Sequence, residues 1–253
     1  MTPRVKPAVM AASVACGVLV TEALWTARRP LPTMTGGDAS GFEGPIDGVP
    51  MTVLALGDST LTGPGLTRPE DVWVRQAVRL AAGTRHITVV SHAVGGARVS
   101  SVRQEQLALA RAVQPDVIVL AVGSNDAIRH TPLRRLAFEY HQLLHELLEI
   151  SPCVVAGGVG DLGALARVPW PLSLFLTVTA RRVNRTLRRV AAETPGVRFV
   201  DISVTDGAFR LGGRSLFTRD LFHPNELGHA LWAEMVSPVL REALAGGGRI
   251  ARG

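Results

Sequence analysis

From position 51 onward, short apolar runs alternate with stretches in which apolar residues recur every three or four positions. The runs at 51–56, 87–91, 117–122, 153–156 and 198–202 are rich in Val and Ile. Continuous apolar character over this length is what a strand buried on both faces of a parallel sheet requires. Helical spacing fills the gaps. Val74, Ala77, Val78 and Ala81 form one apolar stripe, and Leu133, Leu136, Ala137, Tyr140, Leu144 and Leu147 form another. Thr131-Pro132 predicts a cap followed by proline at the first helical position. A last helix is expected from about Asn225 to Ala245, kinked at Pro238.

Strands and helices in strict alternation predict one doubly wound α/β unit, a three-layer α/β/α sandwich around a five-stranded parallel sheet. The domain is expected to occupy residues 50–246, with a short flexible tail at 247–253 and a Gly-, Pro- and Asp-rich linker at 31–49. In folds of this class ligands bind beyond the carboxyl ends of the strands. Polar residues that follow strand ends are therefore the first candidates for chemistry.

Residues 1–30 read differently. Arg4 and Lys6 precede an apolar stretch at 8–20, Glu22 interrupts it, and Arg28-Arg29-Pro30 closes it. This pattern predicts a signal segment or a membrane anchor and hence an exported or membrane-anchored, extracytoplasmic protein. The alternatives are a helix packed on the domain and a cytoplasmic location. Positive charge at both ends leaves the orientation unassigned.

Composition narrows the function. The formal net charge is +6, but Lys6 is the only lysine among the basic residues. Such arginine dominance in an Ala-, Val- and Gly-rich chain reads as coding bias. Aromatic residues make up 5% and do not interleave with basic blocks, so nucleic-acid binding is not expected. Cys16 and Cys153 are too few and too separate for a disulfide framework, and no Cys/His spacing resembles a metal site. No metal, organic cofactor or specific protein partner is expected. Gly158-Val159-Gly160-Asp161-Leu162-Gly163 has the form of a dinucleotide fingerprint, but it follows the fourth strand rather than the first, and Pro169 and Pro171 soon interrupt any helix.

Four polar clusters do follow strand ends or precede the last helix: Gly57-Asp58-Ser59-Thr60, Ser91-His92-Ala93-Val94-Gly95-Gly96-Ala97, Gly123-Ser124-Asn125-Asp126, and Asp220-Leu221-Phe222-His223-Pro224-Asn225. Acyl transfer needs a nucleophile, a base and donors for a developing oxyanion. Ser59 supplies a hydroxyl at a strand-to-helix turn, and His223 is the candidate base. Asp220, three residues earlier, reaches the imidazole within one tight turn and fixes its tautomer. The Ser59 N–H, a glycine N–H after the second strand, and the Asn125 side-chain amide are candidate oxyanion donors.

These blocks resemble the SGNH/GDSL hydrolase superfamily. Leu56-Gly57-Asp58-Ser59 matches its first block, Gly123-Ser124-Asn125-Asp126 its third, and Asp220-Leu221-Phe222-His223-Pro224-Asn225 with Gly228-His229 its last. The second-block glycine falls on Gly95 or Gly96, and the Gly96-Ala97 pair favours Gly96. The resemblance spans about residues 51–240, with Ser91 and Thr60 departing from the usual pattern. It implies a flavodoxin-like fold, catalysis by Ser59, Asp220 and His223, and an oxyanion hole of Ser59, Gly96 and Asn125. The expected substrate is a small-molecule or lipid ester, with lipid or short-acyl esters ahead of acetylated carbohydrate. An acyltransferase, a carbohydrate O-deacetylase and a non-catalytic envelope-binding module remain alternatives. Trp170 and Phe175, in the apolar segment 165–176, are candidate substrate contacts, and the arginines between 181 and 189 could meet anionic headgroups.

Overall fold

The computed structural model describes residues 7–28 and 36–247. Arg4, Lys6, Arg29, the start of the expected linker and nearly all of the expected tail lie outside the described residues. The elements run in order as α1 (Pro7–Arg28), β1 (Gly41–Glu43), β2 (Val49–Gly57), α2 (Ser59–Thr62), α3 (Trp73–Ala81), β3 (Arg85–Ser91), α4 (Val99–Ser101), α5 (Leu107–Ala110), β4 (Val117–Ala121), α6 (Ser124–Ile128), α7 (Leu133–Leu148), β5 (Val154–Gly157), α8 (Leu172–Ala192), β6 (Val197–Val200), α9 (Asp206–Gly212) and α10 (Glu226–Gly247). A π-helical turn, Val102–Gln106, joins α4 to α5.

All five expected strands form, in the parallel order β3-β2-β4-β5-β6. Alternate side chains point to opposite faces. Val53 and Ala55 of β2, with Val117 and Val119 of β4, pack under α3 and α10. Leu54, Leu56, Ile118 and Leu120 face the other way, onto α7 and α8. Both faces are covered by helices, which explains why these strands read as continuous apolar runs.

The sheet has six strands rather than five. β1 adds an antiparallel edge against β3, within residues expected to be linker. No local pattern marks it, because its order comes from a distance. The buried Arg75 guanidinium on α3 donates to Glu43 Oε1 (3.0 Å), Ser40 O (2.9 Å) and Phe42 O (3.1 Å), and Arg79 adds a second bond to Glu43 (2.8 Å). A second correction concerns α7. Pro132 is the cap residue itself, and the Thr131 hydroxyl donates to Asp126 rather than capping the helix. Cys16 and Cys153 are both free. No helix among the described residues is long and apolar enough to cross a membrane.

The close approach of β2 and β4 positions the site. Gly57 ends β2 with φ +147°, and a Cβ there would sit 1.9 Å from Ala121 O. Gln106 closes the contact, accepting from Gly57 N–H (2.9 Å) and donating to Gly57 O (2.8 Å). Gly57→Ala is expected to cost about 3 kcal/mol of stability, since both backbone conformation and strand spacing must yield. Urea unfolding of the variant checks this, and a wild-type midpoint would show that the strands can part freely.

Candidate active site

The turn after β2 places Asp58 and Ser59 in the sheet crevice. Asp58 N–H donates to Ala121 O (3.1 Å), and the Asp58 carboxylate caps the short α2 by accepting from Thr60 N–H (3.0 Å). Ser59, as the first residue of α2, keeps an N–H with no intrahelical acceptor. Burial pushes the Asp58 carboxyl up to about 6, against the lowering effect of the Thr60 amide.

The last block closes over this turn. His223 Nε2 lies 3.1 Å from Ser59 Oγ, and His223 Nδ1 lies 2.7 Å from Asp220 Oδ2. Ser59 and His223 are both buried. Asp220 Oδ1 accepts from Thr218 Oγ1 (2.8 Å), Phe222 N–H (2.8 Å) and His223 N–H (2.9 Å). Burial alone would raise the Asp220 carboxyl. The bonds from the His223 ring, the two amides and Thr218 overcome it and hold the group far below the ordinary carboxylate range. Asp220 is thus an ionised acceptor, and its partner nitrogen is the protonated one. In a neutral imidazole that tautomer turns the Nε2 lone pair toward Ser59. The Phe222 ring meets the imidazole edge-on with centroids 4.9 Å apart. Asn225 caps α10, its Oδ1 accepting from Leu227 N–H (3.1 Å) and Gly228 N–H (3.2 Å).

Asn125 reaches the same cavity from α6, directly after β4. Its amide donates to Ala97 O at 3.1 Å, and only at 3.5 Å to Asp58 Oδ2. One N–H is therefore held and the other is weakly engaged. Ala97 ends a turn from Val94, closed by Ala97 N–H to Val94 O (3.1 Å). Gly96 takes the third position of that turn with φ +81°, as in a type II turn, and a Cβ there would meet no atom within 4 Å. Backbone conformation rather than space thus requires glycine. Asp126 is structural, accepting from Val99 N–H (3.0 Å) and Thr131 Oγ1 (2.8 Å).

The cavity beside Ser59 has a volume of about 80 Å³, and its wall is mostly apolar. Trp73, Phe209, Phe217, Phe222 and Trp232 supply the aromatic part. Trp170 and Phe175 are not among the lining residues. Trp170 is 77% exposed, and Phe175 is 45% exposed and rests on His130 at 5.3 Å between centroids. Neither therefore lines this cavity, and of the segment 165–176 only Leu165 does. The glycine-rich stretch after β5 also belongs to the wall, through Gly158, Gly160 and Asp161. Arg181, Arg185 and Arg188 line a separate polar groove with Arg210. Among the described residues, no group of three or more His, Cys, Asp or Glu could hold a metal ion.

Two long-range contacts were not visible in the sequence pattern, although His229 itself belongs to the last block. Gln106 comes from a π-helical turn 49 residues after Gly57. His229 is fully buried, and its Nδ1 accepts from Trp73 N–H (3.1 Å), supplying the cap that Val72 cannot give to α3. Burial, with the nearby His223 adding to it, lowers His229 to about 3 from an ordinary 6.5, so it is neutral. Between these values the unfolded chain binds a proton that the folded chain excludes. The stabilising contribution is complete above about 6.5 and is lost as pH falls toward 3. Asp58, raised from 3.8 to about 6, acts in the opposite sense over its own window. The stability difference between wild type and His229→Asn should fall by about 1.4 kcal/mol per pH unit as pH drops from about 6 to about 4. A difference that stays flat in urea melts would mean that His229 is already protonated in the fold.

The chain matches the GDSL-like Lipase/Acylhydrolase family over residues 55–231. It is similar to a GDSL-like esterase of Mycobacterium tuberculosis, with 28% identity over 195 residues that cover 76% of this chain and 62% of the relative. The match thus spans less than two thirds of that relative's length. An acetylxylan esterase from Geobacillus stearothermophilus superposes with a TM-score of 0.58 at 19% identity, covering 79% of this chain and 94% of the other. A lipolytic protein of the G-D-S-L family from Veillonella parvula gives 0.60 at 19% identity, covering 75% and 97%. At such identities the structural likeness is one of fold.

Proposed function

The chain belongs to the GDSL-like lipase/acylhydrolase family, and from that premise we propose that it hydrolyses carboxylic esters through an acyl-enzyme on Ser59. The observation that carries this reading is the unbroken hydrogen-bonded series Asp220–His223–Ser59, at 2.7 Å and 3.1 Å, opening onto an apolar cavity.

In this reading Ser59 Oγ attacks the ester carbonyl carbon while His223 Nε2 takes the hydroxyl proton. Asp220 accepts the Nδ1–H and stabilises the imidazolium as it forms. The carbonyl oxygen gains negative charge and is met by the Ser59 N–H, the weakly engaged Asn125 N–H and the Gly96 N–H. The tetrahedral intermediate collapses, the C–O bond to the alcohol breaks, and His223 returns its proton to the leaving oxygen. Water then attacks the acyl-enzyme with His223 as base, releasing the carboxylic acid and restoring Ser59.

A cavity of about 80 Å³ holds several water-sized groups, which suits a short acyl chain or the proximal part of a longer one. Its aromatic wall favours apolar acyl groups, so short-acyl and lipid esters are placed ahead of acetylated sugars. Ser59→Ala is expected to lower kcat about 10⁴-fold or more, and Asn125→Ala about 10²- to 10³-fold. A fluorophosphonate probe should label wild type at Ser59, located by peptide mass spectrometry, and leave Ser59→Ala unlabelled. Folded wild type that resists the probe and turns over no p-nitrophenyl ester would favour a binding module instead. Faster acyl transfer to added alcohols than to water would favour an acyltransferase.

We further place the enzyme at a membrane face, exported or anchored. α1 exposes Val9, Met10, Val14, Val18 and Leu24, and Trp170, Leu174 and Phe175 are exposed around the start of α8, which α1 contacts. Contiguous exposed apolar and aromatic surface of this kind is a feature of membrane-contacting faces. Full-length protein should cosediment with phosphatidylglycerol vesicles, and replacing Trp170 and Phe175 with Ala should reduce the bound fraction several-fold. Equal recovery in the supernatant with and without vesicles would refute this placement.

A further inference from the structure

The turn that carries Asp220 is held in a conformation its sequence does not favour. Leu221 has φ +58°, a left-handed value uncommon for any residue but glycine, Asn or Asp. Such a conformation persists where the surroundings over-determine it. Three of its bonds are local, from Thr218, Phe222 and His223 to Asp220 Oδ1. Two more come from one residue 53 positions before Asp220. The Arg167 backbone N–H donates to Leu221 O at 3.1 Å, and Arg167 Nη1 donates to Asp220 O at 3.4 Å. Arg167 therefore grips two consecutive carbonyls, one on each side of the left-handed residue.

The same guanidinium reaches further. Its Nη2 donates to Thr26 O at 3.3 Å, in the last turn of α1. Carbonyls in a helix's last turn have no partner within the helix, and a cation there meets the negative end of the helix dipole. Arg167 is buried, at 6% exposure, so water cannot readily take over these bonds. A second contact seats the same helix, where Glu22 Oε2 accepts from Leu172 N–H at 3.1 Å at the start of α8. A planar fork reaches two separated carbonyls from two nitrogens, whereas a lysine must serve both from a single tip.

We infer that Arg167 is a positioning residue for the Asp220–His223 pair, clamping the Asp220–Leu221 turn and making its geometry depend on the seating of α1. The activity readout below rests on the proposed ester hydrolysis, whereas the spectroscopic one does not.

The experiment uses the full chain with Arg167→Met, Arg167→Lys and Glu22→Ala. The first readout is the proton NMR signal of His223 Nδ1–H, shifted far downfield by its bond to Asp220 and assigned by its loss in His223→Ala. The second is kcat and KM per site titrated with fluorophosphonate. In Arg167→Met the signal should move upfield or broaden, and kcat per titrated site should fall about tenfold with KM nearly unchanged. Arg167→Lys should recover part of both. Glu22→Ala, at the other seat of α1, should shift the signal the same way by less. A purely structural arginine would lower the melting temperature and the titratable fraction, and leave signal and kcat per site as in wild type; that result overturns the inference. So does a wild-type signal in Glu22→Ala, because the turn would then be independent of α1. A wild type with no esterase activity whose signal still responds as described would count against the proposed reaction and support the clamp.

Discussion

The site depends on how closely β2 and β4 lie at their carboxyl ends. Gly57 has no side chain, so its backbone sits against Ala121 O where a Cβ would be 1.9 Å away. Both polar groups of Gly57 are met by the Gln106 amide, and the next N–H, of Asp58, is bonded to Ala121 O. Ser59 therefore leaves the sheet at one point and in one direction. Asn125 leaves β4 four residues after Ala121, in the same crevice. The proposed nucleophile and the proposed oxyanion donor are registered to each other by sheet geometry, so no flexible loop has to bring them together.

The proposed base and its carboxylate partner arrive by a different route. His223 and Asp220 sit on an irregular segment before α10, and a network of hydrogen bonds shapes it. Thr218, two backbone amides and the His223 ring all converge on the Asp220 carboxylate. That convergence overcomes the cost of burial and keeps the charge on Asp220. In the first turn of α10, His229 is buried against the Trp73 N–H, and burial outweighs the pull of Asp71, so it stays neutral and serves as a cap for α3. Two histidines six residues apart thus differ in role because one faces an anion and the other faces a peptide N–H.

The cavity wall shows a similar division. The apolar segment 165–176 looks in sequence like a pocket lining, yet Trp170, Leu174 and Phe175 are exposed around the start of α8, where α1 meets it. The aromatic wall is assembled from α3, α9, the segment before α10 and α10 itself. Side chains so far apart in sequence converge only because those elements close over one end of the sheet.

By itself the sequence determined the parallel strands, the helices between them, and the candidate residues Ser59, Asn125, Asp220 and His223. Strands buried on both faces must be continuously apolar, and a turn at a strand end must supply its own polar atoms, so each leaves a local signature. Tertiary structure alone decided the rest. The edge strand β1 is ordered by Arg75, the end of β2 by Gln106, and the start of α3 by His229. Each is a single polar side chain satisfying backbone groups tens of residues away, and one residue at long range imposes no period on the chain. Exposure of Trp170 and burial of Arg167 were equally invisible, because composition states what a side chain prefers, and only the packed fold states what surrounds it.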